Sequence, residues 1–364
     1  MARSSRHVIG NEMPTSAEWL EVRAHLLRHR HALALEAVSE YPDLPRVAGT
    51  PLLTSPDWMP SAPVPLADLS LTLTDSPALP ELPATALPDG FGSYSEAMAA
   101  LAAPAVFQNR ATYRLLGFSG RQLTFGLGTY FDGIDVGEAC AHEYAERAGG
   151  LPLRAAVGNP CTSSNRPVNV AISTLTLRHD EASGEATFFL HWRDPKRVGH
   201  AGGMFQVLPV GVFQGSTDAD FSVWHCMIRE FAEEMLGAEE IHEADYAAWP
   251  FASRLTAAAR VFYLGMGVDP LTFATDMLTV AVIEASRFDE LFGDLVSHNE
   301  EGQVLRGLPF TAANVERFVH REPTQAAGAA LLALAWQHRA ELLRAGTGSA
   351  GTPTSSSPGP AASA

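Results

Sequence analysis

The stretch Arg229-Glu230-Phe231-Ala232-Glu233-Glu234 decides how this chain is read. Extended back to Trp224 and on to Leu236, it predicts a helix with two distinct faces. At roughly 100° per residue, Trp224, Met227, Ile228, Phe231 and Met235 fall on one apolar stripe suited to burial. Glu230, Glu233 and Glu234 share an arc of roughly 100° beside that stripe. Carboxylates three and four residues apart repel unless something neutralises them. A divalent cation with a preference for hard oxygen ligands turns that repulsion into affinity. A merely solvated acidic face accounts for the same residues without any ligand.

Before this helix, Leu208-Pro209-Val210-Gly211-Val212-Phe213-Gln214-Gly215 reads as a strand running into a glycine-bearing loop. After it, Gly237 stands where a helix is expected to stop. Strand, glycine loop, acidic helix and closing glycine together resemble the Nudix box, whose pattern is G-x5-E-x7-R-E-U-x-E-E-x-G-U with U aliphatic. Arg229, Glu230, Phe231, Glu233 and Glu234 match its R-E-U-x-E-E core, with Phe231 in the aliphatic place. Gly215 takes the first glycine without an insertion. In that register Phe221 holds the first glutamate place, and Asp220 is the nearest acid. The closing glycine arrives one residue late, with Met235 and Leu236 both intervening.

The resemblance implies a Nudix-like α/β/α sandwich with a mixed sheet over residues 166–345. It also implies metal-dependent hydrolysis of a nucleoside diphosphate linked to another moiety, with Mg²⁺ or Mn²⁺ as cofactor. Carried over, Glu230, Glu233 and Glu234 would be metal ligands, and Glu233 and Glu234 would also serve catalysis. Negative charge grows on phosphate oxygens as water attacks, and metal ions stabilise it. Arg229 would have the structural task of holding the loop or a ligand carboxylate in place. Glu284, at the end of a predicted strand, is the candidate general base by location. Gly215, Arg193 and Lys196 are candidates for substrate binding, against a reading of the two cations as solvated surface charge. A second reading keeps the fold and drops turnover, leaving a ligand sensor, regulator or interaction scaffold. Phe221, the late glycine and a proline-rich arm point that way. A third has an unrelated fold whose helix is simply acidic outside and apolar inside.

The chain has 364 residues, 46% of them apolar, which is ample for a sizeable core. A formal net charge of −16 argues against a sequence-independent grip on nucleic acid, which needs clustered cations. It leaves room for a nucleotide-like small molecule bridged through a metal. Cys140, Cys161 and Cys226 show no zinc-ligand or C-x-x-C spacing, so reduced, buried thiols are expected. No secretory core opens the chain and no apolar run reaches membrane-spanning length. A cytoplasmic protein without membrane contact is the expectation, and self-association as a homodimer is compatible with it. Nucleophile elbows, P-loops and complete dinucleotide fingerprints are absent from the sequence.

In chain order, Thr15 and Glu18 form a capping box for a helix reaching about Ser39, with a seam of Trp19, Val22, Leu26, Leu33 and Ala37. Its basic residues, Arg23, His25, Arg28, His29, Arg30 and His31, read as a solvated face. Residues 1–41 are thus an N-terminal helix, and 42–90 a proline-rich connector with one strand near Leu69 to Leu73. Residues 91–165 read as a small α+β module: a helix at Ser95 to Ala103, paired strands at Tyr113 to Phe118 and Leu123 to Leu127, and a helix from Ile134 to Ala148 stopped by Gly149-Gly150. In the last domain, Val168 to Leu177 and Ala186 to Trp192 form a hairpin, and Met204 to Val212 is a further strand. Strands at Arg260 to Gly265 and Met277 to Ile283 come next, then helices at Phe288 to Val296 and Thr324 to Leu343. Residues 346–364 read as a disordered tail.

Overall fold

Thr15 and Glu18 cap the first helix reciprocally: the Glu18 amide donates to Thr15 Oγ1 at 3.3 Å and the Thr15 amide to Glu18 Oε2 at 3.0 Å. The computed structural model describes residues 13–84, 87–104, 107–147, 149–193, 202–215, 217–239, 245–297 and 302–344. Lys196 and the expected tail at 346–364 lie outside these described residues. Helix α1 (Ser16–Ala37) buries Trp19, Leu26, Leu33 and Ala37, with Val22 half-buried at the seam's edge.

Two of its cations overturn the solvated-face expectation. Arg23 and Arg30 are 2% and 4% exposed, and both reach Glu138, itself 4% exposed. Arg30 donates to both Glu138 oxygens at 3.0 and 2.7 Å. Helical periodicity puts these arginines on the inner face beside the apolar seam, and the shared carboxylate makes that burial tolerable.

The proline-rich connector carries β1 (Val64–Pro65) and β2 (Ser70–Leu73). Helix α2 (Tyr94–Leu101), β3 (Ala111–Ser119), β4 (Gln122–Thr129) and α3 (Tyr130–Glu146) come after it. The sheet β2-β4-β3 is small and mixed. Helix α3 begins four residues earlier than expected because Thr129 and Asp132 form a second capping box. It also stops before the glycines, at Arg147 in the left-handed region with φ +56°.

After α4 (Pro152–Val157) comes the hairpin β5 (Val170–His179) and β6 (Ala186–Arg193). The single strand expected at Met204 to Val212 is two, β7 (Phe205–Val207) on β6 and β8 (Val210–Val212) on β5. Pro209 has no N–H to give a ladder, so the chain changes partner there. Next come α5 (Val223–Glu230), α6 (Pro250–Ala258), β9 (Ala259–Val268), β10 (Thr275–Glu284) and α7 (Ala285–Leu291). The chain closes with β11 (Gly302–Pro309), α8 (Ala312–His320), α9 (Ala326–Gln337) and α10 (Arg339–Leu342).

The large sheet has the order β1-β9-β10-β5-β6-β11, with β10 and β5 parallel and the other pairs antiparallel. Alternation sends Val170, Ile172, Met277, Ala281 and Ile283 to the face covered by α5, α6 and α7. Leu175, Leu177, Leu278, Val280 and Val282 face α8 and α9. Helix α9 is apolar nearly all round and is accordingly buried. The expected α/β/α sandwich with a mixed sheet is the observed architecture.

The expected segments do not pack separately. One apolar core joins Trp19 of α1, Trp58 and Val64 of the connector, Leu123 and Phe125 of β4, and Ile228 of α5. Strand β3 is bonded to the large sheet's end, the Tyr113 amide to Phe213 O and the Leu115 amide to Val168 O. The connector lies along β9: Leu53 and Val268 exchange amide bonds of 3.0 and 2.8 Å, and Tyr263 donates to Trp58 O at 2.8 Å. Among the described residues, no helix is long and apolar enough to cross a membrane.

Candidate functional site

Ser222 opens the acidic helix, its Oγ accepting from the His225 amide. Val223, Met227, Ile228, Phe231 and Met235 are buried as the stripe requires, while Trp224 is half-buried and donates to Thr256 Oγ1 at 2.9 Å. From Phe231 to Met235 the helix widens to a π-turn. Such a turn holds one residue more than an α-turn. Leu236 and Gly237 then close the helix, Gly237 with φ +68° and its amide donating to Glu233 O at 3.1 Å. The residue that delays the glycine in the sequence is therefore absorbed inside the helix, and the stop keeps its place.

Arg229 is 6% exposed and joins loop to helix. Nη1 donates to Asp220 Oδ1 at 2.5 Å and Nη2 to Gln214 O at 2.8 Å. Asp220, 1% exposed, also accepts from Tyr246 at 3.0 Å and from the Thr217 amide and hydroxyl at 2.9 and 3.0 Å. Burial acts to lower the Arg229 pKa, but Cys226, Tyr246, Asp220 and Glu230 around it outweigh this and raise it. Burial raises the Tyr246 hydroxyl, keeping it a donor, and pushes the Cys226 thiol up to about 12. His225 stacks on Tyr246 with ring centroids 3.9 Å apart. Asp220, the residue before Phe221, is thus the acid that meets Arg229. Phe221 instead turns into the aromatic cluster of Tyr113, Phe125 and Phe213.

The loss of the Asp220 charge alone is expected to loosen this loop. Asp220→Asn keeps an oxygen for Thr217 or Tyr246 but weakens the buried bond to Arg229, at a cost of about 2 kcal/mol. Urea unfolding with an unchanged m-value, together with faster amide exchange over 214–220, is the expected result.

The carboxylates reach the sheet edge at β8. Glu230 lies so close over Gly211 that any side chain there would collide with its carboxylate. Glu234 is 9% exposed and accepts from the Val210 amide at 3.2 Å. Glu233 sits half-buried on the same widened turn. Gly215 packs against Asp220 and the Tyr113 hydroxyl. Arg193 ends β6 and donates to Gln206 Oε1 at 2.9 Å. By alternation Arg193, His191 and Gln206 stand on the sheet face that α5 and α7 cover, the face toward which Gly211 presents Glu230. Sequence reasoning misses His191 and Gln206, 1% and 4% exposed, since a histidine and a glutamine within strands carry no spacing signal.

Glu284 is not part of this assembly. It caps α7, accepting from the Arg287 amide at 3.1 Å and from Ser286 Oγ at 2.5 Å, bonds that lower its pKa. It pairs with His179 on β5, whereas Gly211 pairs with Ile172. Seven residues of strand separate the two levels, roughly 23 Å.

Three carboxylates are the donor types a hard divalent cation takes. Among the described residues, however, no three His, Cys, Asp or Glu side chains stand close enough to hold a metal ion. Glu230 and Glu234 approach β8 without meeting Glu233 in one ready-made cage.

No protein-family model and no curated protein matches the chain. Among solved structures it is similar to a MutT/Nudix family protein from Listeria innocua, at 15% identity and a TM-score of 0.29 over 48% of this chain and 94% of that one. A MutT/Nudix family protein from Enterococcus faecalis gives 10% identity and a TM-score of 0.29 over 48% and 63% of the two chains. At that TM-score neither likeness weighs for fold or for function.

Proposed function

We propose that the segment from Gly211 to Gly237 is a divergent Nudix-type site that acts on a phosphoanhydride, hydrolysing a nucleoside diphosphate linked to another group. The observation that carries this reading is the tie from Arg229 to Asp220 and Gln214 O, which fixes a glycine loop over an acidic helix. A loop held in this way offers a rigid floor for a diphosphate. Glu230, Glu233 and Glu234 are the residues that would take Mg²⁺ or Mn²⁺, which when bound would neutralise phosphate charge. Arg193, on the same sheet face, is the residue that would meet an anionic substrate group.

The catalytically silent reading is favoured by one specific observation. Glu234 is already engaged by the Val210 amide, on a turn whose extra residue rotates the rest of the helix by roughly 100°. A ligand sensor needs the loop and the acids but not their alignment for in-line attack.

Thermal-shift titration with Mg²⁺ and with Mn²⁺ tests the metal site, because a ligand of the native state raises the melting temperature. Stabilisation that disappears in Glu233→Gln/Glu234→Gln is expected. Phosphate or nucleoside monophosphate release from a panel of nucleoside diphosphate derivatives then tests turnover. Metal binding without release from any of them replaces hydrolysis with the sensor reading; no stabilisation by either metal removes both.

A further inference from the structure

We propose that α1 is a self-association surface, on which two copies of this chain pair their first helices antiparallel about a two-fold axis near Ala24. The inner face of α1 is spent on the core, and its outer face carries an apolar stripe beside the exposed charges of Glu18, Glu21, Arg28 and Glu36. Leu20, Leu27 and Leu35 are 37%, 36% and 48% exposed. Ala17 and Ala24 are exposed between them. At roughly 100° per residue Leu20, Ala24 and Leu27 form one stripe, with Ala17 and Leu35 within about 20° of Ala24. Alanines at the centre of a stripe let two helix axes approach to about 8 Å, and the leucines then close over the partner.

Charge selects the partner and its direction. Glu21 and Arg28 border the stripe on the same side, and among the described residues neither has an ion-pair partner. Their spacing of two turns, roughly 10 Å along the axis, is too long for pairing within one helix. In an antiparallel pair the same flanks of the two helices lie together. Glu21 of one copy then meets Arg28 of the other, and the reverse, giving two equivalent bridges. A parallel pair would instead turn Glu21 and Arg28 of each copy toward the opposite flank of the other, where Ser16, Leu27 and Ala34 stand, and the two charges would not meet. The isologous antiparallel arrangement is the one that satisfies both the apolar stripe and the charges. The patch is small, so the association is expected to depend on concentration. This inference does not rest on the proposed hydrolase reading.

Sedimentation equilibrium of the full chain over a concentration series provides the test, with light scattering as a second readout. A reversible dimer is expected for the unsubstituted protein and a monomer for Leu27→Glu, with far-UV circular dichroism unchanged because the position is exposed. Arg28→Glu is expected to weaken the dimer about tenfold, by losing two bridges and placing like charges together. Adding Glu21→Arg in the same chain is expected to restore it, because the pairs reform with reversed sign. A monomer at every concentration overturns the proposal, as does a dimer that survives Leu27→Glu. Loss with Leu27→Glu but indifference to the charge reversals overturns the antiparallel register.

Discussion

Glu138→Gln is expected to destabilise the protein by about 5 kcal/mol, at the upper end of what removing one buried charge does. Glu138 is the carboxylate shared by Arg23 and Arg30, and all three side chains are at most 5% exposed. Burial works to lower the Arg23 pKa, but the charges and hydrogen bonds of Glu138 and Tyr94 together outweigh it, and the net shift is upward. Breaking a buried pair by removing one charge typically costs about 3–5 kcal/mol, because the remaining charge stays in a low-dielectric site. Here two guanidinium groups lose the same partner, which places the effect at the top of that range. The network extends further: Tyr94 lies 3.1 Å from His142 Nδ1, and Trp19 stacks on the His142 ring. Burial is the main cause that lowers the His142 pKa to about 3, so the imidazole stays neutral in the fold. Chemical denaturation should show the loss, and amide exchange should place it in α1 and α3. Replacing all three charges by apolar residues of similar volume, Arg23→Met, Arg30→Met and Glu138→Leu together, should return most of the stability. A triple variant no better than Glu138→Gln would mean that hydrogen-bond geometry, not charge burial, sets the cost.

Asp276→Asn is expected to do the opposite, by an amount that grows as pH rises above about 4. Asp276 sits on β10, 2% exposed, accepting a 2.7 Å bond from Ser173 Oγ. Burial raises its pKa from 3.8 to about 7, Ser173 opposes the rise, and Asp269 adds to it. For a carboxyl raised in the fold, the associated stability is complete below the unfolded pKa near 4. It is lost as pH climbs through the folded value near 7. Each pKa unit corresponds to about 1.4 kcal/mol, so by pH 8 the ionised core carboxylate costs up to about 4 kcal/mol. Asparagine keeps an acceptor for Ser173 and removes that charge. Unfolding free energies measured from pH 4 to pH 8 should coincide at the acid end and separate steadily, with the variant more stable. Parallel curves would show that Asp276 ionises alike in both states.

How much of this is legible in the sequence depends on the range of the signal. The capping box of Thr15 and Glu18, the alternation in β5 and β6, and the stripe of α5 are local, and each shows nearly to its boundaries. Arg23 and Arg30 mislead because charge on a helix counts as solvent-facing unless the partner is known. Their partner lies 115 and 108 residues away. Strand β11 and helices α6 and α8 escape the sequence reading; β11 is defined chiefly by its pairing with β6. At the candidate site the core of the motif is readable and its geometry is not. Asp220 stands one residue before the place where the pattern leads one to expect an acid, and only the fold shows it meeting Arg229. The π-turn is likewise invisible to a count at 100° per residue. Glu284 draws notice for its strand end, a position that in this fold serves α7.

The connector laid along β9 has a consequence for the chain's solubility. An outermost strand left bare presents a row of backbone groups able to template pairing with another molecule. Leu53, Thr54 and the two residues of β1 occupy that row, and Pro65 ends it with a residue that has no N–H to offer. A chain shortened past residue 65 would lose more than packing: it would expose a ten-residue, mostly apolar border to its own copies, and precipitation would outrun unfolding.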